Sequence, residues 1–460
     1  MKILVVDTTH GGTILASEFA KKKDNEVFAW DIYHTLKSPE HRTILDQGIE
    51  LVDDTFLEEN LVNHCVDDLM VVAPVHCNLP YNLTDSVPPK MITHHQAVYN
   101  LMKNRISVPI IEVTGVKGKT NSVAMLKEVF MDDNPLILSS LGIEIVEHGE
   151  TKLLQKDISI TPASIITAWE SVENEYDIGM CIFEMSLGGT GLADVGVLTN
   201  IAEDYPIAHG NVRASQAKAQ IFRSKIVVCE NEVYHNYYKQ LSLPYHTVNT
   251  FSLEGNPNVT AKMIEYGLQS STFQVEVSDL KTLEEKSLNT SFKISTFAPA
   301  QHHLENTLSV ICASLIMGVP KEIIIRGVSN FRGLPGRTSL KKLQNIRIIE
   351  EINPGINVTA IKKSVGMIKH FENPVLILGG EYGVTCEEVN EKSLSTFLEQ
   401  LDVNIPLILT GDLGKSIYNS IARDSLYKAY ILDAVNFAQQ IGGRNILLIY
   451  RTRFSDINRR

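Results

Sequence analysis

Short apolar runs rich in β-branched residues alternate with stretches of helical period along the first half of the chain. The runs cover residues 3–6, 27–30, 69–73, 110–113, 136–139, 178–183, 196–200 and 226–229. Runs of this length that alternate with helical segments are typical of parallel sheets covered by helices. The pattern therefore predicts an α/β fold.

The pattern changes near residue 256 and again near residue 331. Between 256 and 299 polar and apolar residues alternate, which predicts an antiparallel flank on the central sheet, followed by a helix from about 303 to 317. Residues 331–337 are dense in Gly and Pro, as in a hinge, and α/β alternation then resumes. We place domain boundaries near 105 and 335, giving domains 1–105, 106–335 and 336–460.

A phosphate-binding loop is predicted at residues 113–120, V-T-G-V-K-G-K-T, between an apolar run and a helical stretch. Glycines allow backbone N–H groups to surround phosphate, Lys119 adds a charge, and the Thr120 hydroxyl can ligate Mg²⁺. Val113 stands where the usual pattern has its first glycine, so an ordinary tight turn is the alternative. The predicted ATP-binding residues of this loop are Thr114, Gly115, Val116, Lys117, Gly118, Lys119, Thr120 and Asn121.

The amino-acid composition indicates which kinds of binding partner and which cellular compartment to expect. The 460 residues carry a formal net charge of -12, which disfavours general binding to nucleic acid or anionic membranes. The six cysteines include no C-x-x-C pair, so reduced thiols are expected. The first residues resemble a strand rather than a signal peptide, and no apolar run is long enough to span a membrane. A cytoplasmic protein is expected, and its oligomeric state is left open.

Two segments downstream of the loop carry further candidate residues. The run 178–183 leads to Glu184, where a carboxylate could ligate a nucleotide-bound Mg²⁺; a helix-capping Glu is the alternative. Residues 199–210 read T-N-I-A-E-D-Y-P-I-A-H-G, and a helical segment A-K-A-Q-I-F then contains Lys218.

These motifs resemble those of the Mur ligase superfamily of ATP-dependent ligases, and the resemblance covers most of the chain. It implies three domains: a Rossmann-like N-terminal domain, a central P-loop ATPase domain with a mostly parallel sheet, and a Rossmann-like C-terminal domain. It also implies that Lys119 and Glu184 are catalytic and that Thr120 and Glu184 bind Mg²⁺. His209 would be a further metal ligand and catalytic residue, and Lys218 a catalytic lysine that is often carbamylated in the family.

Two more family signatures follow in the same order. The family's helix start that contacts adenine resembles residues 302–306 and keeps Asn306, and its hinge arginine, which reaches the ATP phosphates, resembles Arg337. Taken singly, each has a structural alternative. Asn306 could be a helix-surface amide, Arg337 a surface charge at the hinge, and Lys218 a solvated helix lysine.

The departures from the family pattern bear on the substrate. Tyr205 stands where members usually carry a metal-binding His, which puts a second magnesium site in question. The segment that opens the amino-acid domain of the peptide ligases is reduced to E-E-I-N-P-G-I-N at 350–357, without its histidine. These losses indicate that the incoming nucleophile is not handled like an amino acid.

Segments 7–12, 73–80, 92–98 and 450–453 resemble a branch of the superfamily that acts on a nickel tetrapyrrole in methanogenic archaea. That resemblance implies that ATP activates a propionate side chain of the macrocycle and that a carbon of the same macrocycle attacks it. An amide ligase of the usual Mur type is one alternative. A non-catalytic nucleotide-binding regulator is another.

Substrate-binding candidates are mostly imidazoles in the predicted N-terminal domain. His10, His76 and His94, together with His95, could contact the macrocycle or its nickel, and helix caps or surface imidazoles are the alternative for each. Arg451 and Arg453 could pair with substrate carboxylates or simply belong to a solvated tail. A carbon nucleophile also needs a base, for which Glu350, Glu351 and a histidine are candidates.

Overall fold

Three sheets organise the computed structural model, one in each predicted domain, and residues 206–207 and 212–213 pair as a two-stranded antiparallel ribbon. The structure describes residues 1–36, 44–57, 69–77, 90–207, 212–241, 247–267, 269–334, 338–343, 345–352, 354, 356–368, 371–384 and 389–452.

The first sheet has five parallel strands in the order β3-β2-β1-β4-β5. The order reverses between β1 and β4, so the turns that follow these two strands meet at the carboxyl edge of the sheet, where α/β proteins bind ligands. The strands are β1 Lys2–Val6, β2 Glu26–Trp30, β3 Glu50–Val52, β4 Leu69–Ala73 and β5 Lys90–Thr93.

The second sheet has 11 strands in the order β18-β17-β16-β15-β14-β11-β6-β10-β7-β8-β9. Its centre is parallel: β6 lies between β10 and β11, and β10 also pairs with β7. β8 and β9 form an antiparallel edge. The strands of this sheet and the ribbon are β6 Ile110–Thr114, β7 Pro135–Ser139, β8 Gly142–Glu147, β9 Glu150–Gln155, β10 Met180–Glu184, β11 Val195–Leu198, β12 Pro206–Ile207, β13 Val212–Arg213, β14 Ile226–Glu230, β15 Thr247–Phe251, β16 Val259–Glu265, β17 Ser271–Lys281 and β18 Ser287–Thr296.

The third sheet has six strands in the order β19-β20-β24-β21-β22-β23. Only β19 pairs antiparallel among the described strands of this sheet. The strands are β19 Thr338–Leu343, β20 Ile346–Ile352, β21 Pro374–Gly380, β22 Leu407–Thr410, β23 Leu426–Lys428 and β24 Asn445–Arg451.

Helices connect the parallel strands, as the alternation of the sequence predicts. The predicted helix after the phosphate loop is present as α4, and the predicted helix near 303–317 is present as α8. The described helices are α1 Thr13–Ala20, α2 Asp54–Leu57, α3 His94–Met102, α4 Lys119–Val129, α5 Ser164–Glu170, α6 Ala214–Lys218, α7 Asn231–Val233, α8 Gln301–Ile316, α9 Lys321–Asn330, α10 Val358–Ile368, α11 Glu391–Glu399, α12 Gly411–Ser420 and α13 Ile431–Gln440.

Backbone contacts divide the chain into two compact units. The first comprises Met1–Met263, Phe273–Ile294 and Glu305–Ser329, and the second comprises Ile264–Thr272, Ser295–Leu304 and Asn330–Arg460. Within the first unit one buried cluster joins apolar residues of the five-stranded sheet, such as Ile3, to residues of the central sheet, such as Phe183. The two sheets of this unit therefore share a core, which fixes the carboxyl edge of one relative to the other.

None of the described helices is long and apolar enough to cross a bilayer.

Candidate functional site

The phosphate loop runs from the end of β6 to the start of α4 and is held by two residues that follow β11. The amide of Val116 donates to the backbone carbonyl of Asn200 over 3.0 Å. The Asn200 side chain accepts from the amide of Lys117 at 3.1 Å and donates to its carbonyl at 3.0 Å. The Thr199 hydroxyl also donates to the Lys117 carbonyl, at 2.6 Å. Side chains therefore satisfy the backbone groups of a loop that has no ladder of its own.

Two glycines give the loop its shape. Gly115 has φ +145 and Gly118 has φ +86, values in the region that favours glycine. A Cβ at Gly115 would overlap the Thr199 hydroxyl, and a Cβ at Gly118 would overlap the side-chain amide of Asn306. Both positions therefore need glycine for backbone conformation and for space.

The predicted metal ligands Thr120 and Glu184 lie together. Thr120 is in the first turn of α4 and Glu184 ends β10, the strand next to β6. The Thr120 hydroxyl donates to Glu184 Oε1 at 2.9 Å, and the amide of Ser140 donates to Oε2 at 3.0 Å. The Ser140 hydroxyl is 3.1 Å from that of Thr120. These oxygens form a hard donor set of the kind that Mg²⁺ prefers.

Two lysines border the same edge of the sheet. The Lys119 ammonium donates to the carbonyl of Gly115 at 3.0 Å. Lys218 is only 1% exposed, at the end of α6, and its Nζ donates to the carbonyl of Ser186. Burial and the nearby charge of Lys119 lower the pKa of Lys218 to about 7. A large fraction of Lys218 is therefore a neutral amine near neutral pH.

Asp204 fixes the short helix that carries Lys218. Its carboxylate accepts from the amide of Ser215 at 2.8 Å and from the Ser215 hydroxyl at 3.0 Å, which is the usual way to satisfy the first turn of a helix. Tyr205 follows, and its carbonyl accepts from the amide of Ala214. His209, the third predicted metal ligand, lies outside the described residues, so its role stays a prediction.

Asn306 lies against the phosphate loop, where a Cβ on Gly118 would meet it. α8 packs on α4 through small polar contacts, because Ser309 and Ser122 hydroxyls are 3.5 Å apart and the Thr307 hydroxyl donates to the sulfur of Met125. The loop and the residue predicted to contact adenine are thus brought together by the fold. Arg337 lies outside the described residues.

A cavity of about 320 Å³ lies beside the phosphate site, within the first unit. Its wall includes all four histidines predicted to contact substrate, and it also includes Ser186 and Leu187, two and three residues after Glu184. Its lining includes His10, Pro74, Val75, His76, His94, His95, Thr161, Pro162, Ser186, Leu187 and Ile207. A small molecule bound there would lie next to the segment that carries the metal carboxylate.

His10 and His76 meet at a buried carboxylate that we did not single out from the sequence. Asp7 follows β1, is fully buried, and has its Oδ2 2.7 Å from His10 Nδ1 and 3.5 Å from His76 Nε2. Burial would raise the pKa of Asp7, but hydrogen bonds from the two imidazoles hold it well below its usual range. The sequence signal that could have indicated Asp7 is its position as a polar residue between a strand and a glycine-containing turn.

His94 and His95 open α3, and both are buried. Thr93 and Gln96 form a capping box at this helix start. His94 Nε2 lies 2.9 Å from the carbonyl of Val6, and the amide of Gln220 donates to His95 Nδ1 at 3.2 Å. Burial lowers the pKa of His94 to about 4 and that of His95 to about 3, so both imidazoles are neutral.

Gln220 links this helix start to the segment after Glu184. Its Nε2 donates to the carbonyl of Leu187 at 3.2 Å, and its Oε1 accepts from the Thr93 hydroxyl at 2.8 Å. These contacts orient the amide so that it donates to His95 Nδ1. His95 then carries its proton on Nε2, which fixes the tautomer of one wall of the cavity.

The remaining candidates lie in the second unit. Arg451 ends β24, is 1% exposed, and donates from Nε to the carbonyl of Pro354 at 3.1 Å. Glu350 pairs with Lys341 at 2.8 Å. Glu351 accepts from the Thr338 hydroxyl at 2.6 Å, and desolvation raises its pKa to about 7. The roles predicted for Arg451 and these carboxylates stay predictions, and Arg453 lies outside the described residues.

Two groups of His and carboxylate side chains in the described part of the chain have donor atoms within 4.8 Å of one another. One is Asp7 with His10 and His76, and the other is His302 with His303 and Glu351. In the first group Asp7 Oδ2 and His10 Nδ1 lie 2.7 Å apart. That geometry is a hydrogen-bonded acid–base pair.

Two family models match the chain. The model described as "Mur ligase middle domain" matches residues 113–314, which include the phosphate loop, Glu184, Lys218 and Asn306. The model described as "Coenzyme F430 synthetase CfbE, C-terminal domain" matches residues 340–453. Together the two matches span more than half of the chain.

Curated relatives extend the similarity to almost the whole length. The coenzyme F(430) synthetase of Methanosarcina acetivorans is 27% identical, over 97% of this chain and 97% of the relative. That of Methanocaldococcus jannaschii is 26% identical, over 91% and 92%. A UDP-N-acetylmuramoylalanine–D-glutamate ligase of Caldicellulosiruptor saccharolyticus is 23% identical, over 83% and 78%.

Solved structures share the fold at low identity. MurF of Acinetobacter baumannii aligns with a TM-score of 0.59 and 14% identity, covering 99% of this chain and 92% of that one. MurF of Thermotoga maritima, solved in complex with ADP, aligns with a TM-score of 0.58 and 14% identity, covering 97% and 96%. The predicted α/β fold of Mur ligase type is confirmed. The chain therefore belongs to the Mur ligase superfamily of ATP-dependent ligases, and it resembles the coenzyme F(430) synthetases of methanogens over almost its whole length.

Proposed function

We propose that this protein is a coenzyme F(430) synthetase. ATP would phosphorylate a propionate side chain of nickel seco-F(430), and a carbon of the same macrocycle would attack the acyl phosphate to close a carbocyclic ring. The products are coenzyme F(430), ADP and phosphate. The observation that carries the proposal is the position of the four-histidine cavity, which borders the segment directly after Glu184.

ATP and Mg²⁺ fit the residues of the phosphate site. Gly115 and Gly118 form the turns of the loop. The first turn of α4 supplies backbone N–H groups and the Lys119 charge at the position where the phosphates would bind. Thr120, Glu184 and Ser140 would hold the ion, because the Thr120 hydroxyl lies within hydrogen-bonding distance of both the Ser140 hydroxyl and Glu184 Oε1. A bound Mg²⁺ would neutralise charge on the phosphates during phosphoryl transfer.

The cavity suits the acceptor end of the reaction. A volume of about 320 Å³ is at the small end of ligand sites, so it would take the reacting side chain and one edge of a macrocycle. Apolar residues such as Pro162, Leu187 and Ile207 line it and would limit the access of water once the substrate fills it. A dry site protects an acyl phosphate from hydrolysis.

An intramolecular nucleophile explains why the amino-acid signature of the peptide ligases is reduced. Because the attacking carbon is already tethered to the acyl group, proximity supplies much of the lowering of the barrier. The protein then has to hold the two reacting groups in one orientation. The fixed tautomer of His95 and the shared core of the first two sheets provide rigid walls for this.

Lys218 supports the family assignment through its chemistry. Carbamylation requires the neutral amine, and the lowered pKa of Lys218 supplies it near neutral pH. The carbamate would add oxygen atoms close to Ser186, on the side of the site that faces the cavity wall. Arg337 and His209 are proposed for the roles that their family positions imply.

The test is a single-turnover assay with the purified protein, ATP, Mg²⁺ and extracted nickel tetrapyrrole intermediates. The proposal expects a change in the visible spectrum, loss of one water by mass, and one ADP per ring closed. Lys119→Ala and Glu184→Ala should abolish both ADP release and ring closure. Turnover with an amino-acid cosubstrate and none with the tetrapyrrole would replace the proposal with a Mur-type amide ligase.

A further inference from the structure

The turn after β1 places a buried carboxylate behind a half-exposed imidazole. Asp7 has φ 67, a strained value for a residue with a Cβ, and its side chain accepts from the amides of Thr9 and His10 at 3.0 and 3.2 Å. Its own amide donates to the carbonyl of Trp30. The turn therefore holds the carboxylate rigidly, with His10 on its outer side.

The contact between the two side chains orients the imidazole. His10 Nδ1 lies 2.7 Å from Asp7 Oδ2, whereas the His10 side chain as a whole is 48% exposed and lines the cavity. With Nδ1 donating to the carboxylate, Nε2 is the ring nitrogen that can accept a proton. A carboxylate–imidazole pair of this kind is the usual arrangement of a general base.

Gly11 brings this pair against the turn at residues 161–163, which precedes α5. A Cβ at Gly11, which has φ +95, would lie 2.7 Å from the Cβ of Ala163 and 3.1 Å from the hydroxyl of Thr161. Thr161 and His10 line the same cavity, together with Ser186. The imidazole therefore shares a wall with the segment that leads from Glu184, where the acyl phosphate would form.

We propose that His10 is the general base of ring closure, accepting through Nε2 the proton of the attacking carbon, and that Asp7 is its positioning residue. This inference rests on the proposed function. The carbon–carbon bond forms as the carbon–oxygen bond of the acyl phosphate breaks. Inorganic phosphate leaves with the electron pair of that bond, and the displaced proton passes to His10 and then to water.

The surroundings of His10 set its titration. The groups that face it are Asp7 on its own turn, Tyr33 after β2 with ring centroids 5.9 Å apart, His76 after β4 at 5.1 Å, and, farther off, Cys77 and His94. Residues 161–163, in the turn before α5, bring no charge. The hydrogen bond to Asp7 dominates and raises the pKa of His10 above its ordinary value.

The two half-reactions can be measured separately. Hydroxylamine traps an acyl phosphate as a hydroxamate, whereas ring closure is followed by mass and by the visible spectrum. In His10→Gln we expect hydroxamate formation at the wild-type rate and ring closure reduced by about 100-fold or more, the usual contribution of a general base. In wild type, ring closure should fall as pH drops below the pKa of His10. In Asp7→Asn the pKa of His10 loses the effect of the carboxylate, so the fall in the rate of ring closure should occur at lower pH than in wild type.

Controls separate this role from others. His148→Gln is the matched control, because it removes an exposed imidazole in the turn between β8 and β9 and should leave ring closure unchanged. Thermal unfolding of His10→Gln, compared with wild type, checks that the substitution at the half-exposed His10 is tolerated. Ring closure by His10→Gln within about threefold of wild type would overturn the inference. So would an equal loss of both half-reactions, or one tightly bound metal ion per chain that His10→Gln lacks. Absence of any turnover by wild type would instead contradict the proposed function.

Discussion

The hydroxyl of Thr120 donates a 2.9 Å hydrogen bond to the carboxylate of Glu184, across 64 residues of sequence. The contact joins the first turn of α4 to the end of β10, because α4 follows strand β6 along the chain and β10 pairs with β6 in the sheet. The protein's own contacts thus bring together a hydroxyl and a carboxylate of the proposed magnesium site.

Loss of the Glu184 charge or of the Thr120 hydroxyl should strongly slow magnesium-dependent ATP turnover. We expect Glu184→Gln and Thr120→Val each to lower kcat by about 100-fold or more, since electrostatic stabilisation of the transferred phosphoryl group is lost. Thr120→Ser keeps the hydroxyl and is the matched control, with activity within about threefold of wild type. ADP release at varied Mg²⁺ concentration measures the effect. Wild-type activity in Thr120→Val would contradict the assignment of Thr120.

Gly118→Ala should reduce both stability and nucleotide affinity. The positive φ alone costs about 1–2 kcal/mol, and the overlap with Asn306 adds to that cost. Gly318→Ala is the control, because Gly318 has φ +83 with open space around it. Urea unfolding and ATP titration of both variants measure the difference. Equal destabilisation of the two variants would mean that the contact with Asn306 is unimportant.

Lys218 should make stability rise with pH. In the unfolded chain the amine keeps its proton up to about pH 10.5, whereas in the folded protein it loses the proton near pH 7. The unfolded state therefore binds more protons between these values, and the free energy of unfolding increases as pH rises through that window. In Lys218→Met this contribution is lost, so the wild type gains stability relative to the variant from about pH 7 upward.

The control for Lys218 is Lys225→Met, which removes an exposed lysine that pairs with Asp194. Urea unfolding at several pH values gives the two difference curves, and bicarbonate is kept out of the buffers so that the amine stays unmodified. A Lys218→Met curve parallel to that of wild type would rule out the buried, neutral amine.

Glu112 should have the opposite pH dependence. It lies in the middle of β6, fully buried, where Thr190 donates to it from its amide at 2.9 Å and also from its hydroxyl. Desolvation outweighs these hydrogen bonds and raises the pKa of Glu112 to about 7. The folded state thus binds more protons between about pH 4.5 and 7, and the stability that Glu112 contributes falls as pH rises through that range.

In Glu112→Gln the side chain stays neutral, so the variant should gain stability relative to wild type as pH rises from about 4.5 to 7. Glu50→Gln, at the exposed start of β3, controls for the loss of one negative charge. A constant difference between Glu112→Gln and wild type across the range would refute the raised pKa.

The sequence predicts those parts of the site that depend on local pattern. The phosphate loop and Glu184 each follow an apolar run, and parallel strands bring their carboxyl ends to one edge. The run predicted at 196–200 ends as a strand at Leu198, because Thr199 and Asn200 turn away to bond the loop. Apolar pattern alone does not reveal where a ladder gives way to such side-chain contacts.

The contacts that shape the cavity could not be predicted in this way. Gln220 reaches His95 across 125 residues and Thr93 across 127, and neither pairing leaves a periodic signal. Asp7 is three residues from His10, but only the left-handed backbone at Asp7 turns its carboxylate onto the ring. Such pairings follow from how the two sheets pack, which depends on the shape of a shared core.

The close approach of Gly11 to Ala163 has a consequence for building chimaeras. Because the glycine turn of the first sheet and the segment at 161–163 fit each other without room for one methyl group, neither can be exchanged alone. A hybrid that takes its first hundred residues from a peptide ligase would have to take that facing segment as well. Exchanging the two segments together is the way to change which acceptor substrate is bound without altering the residues of the phosphate loop.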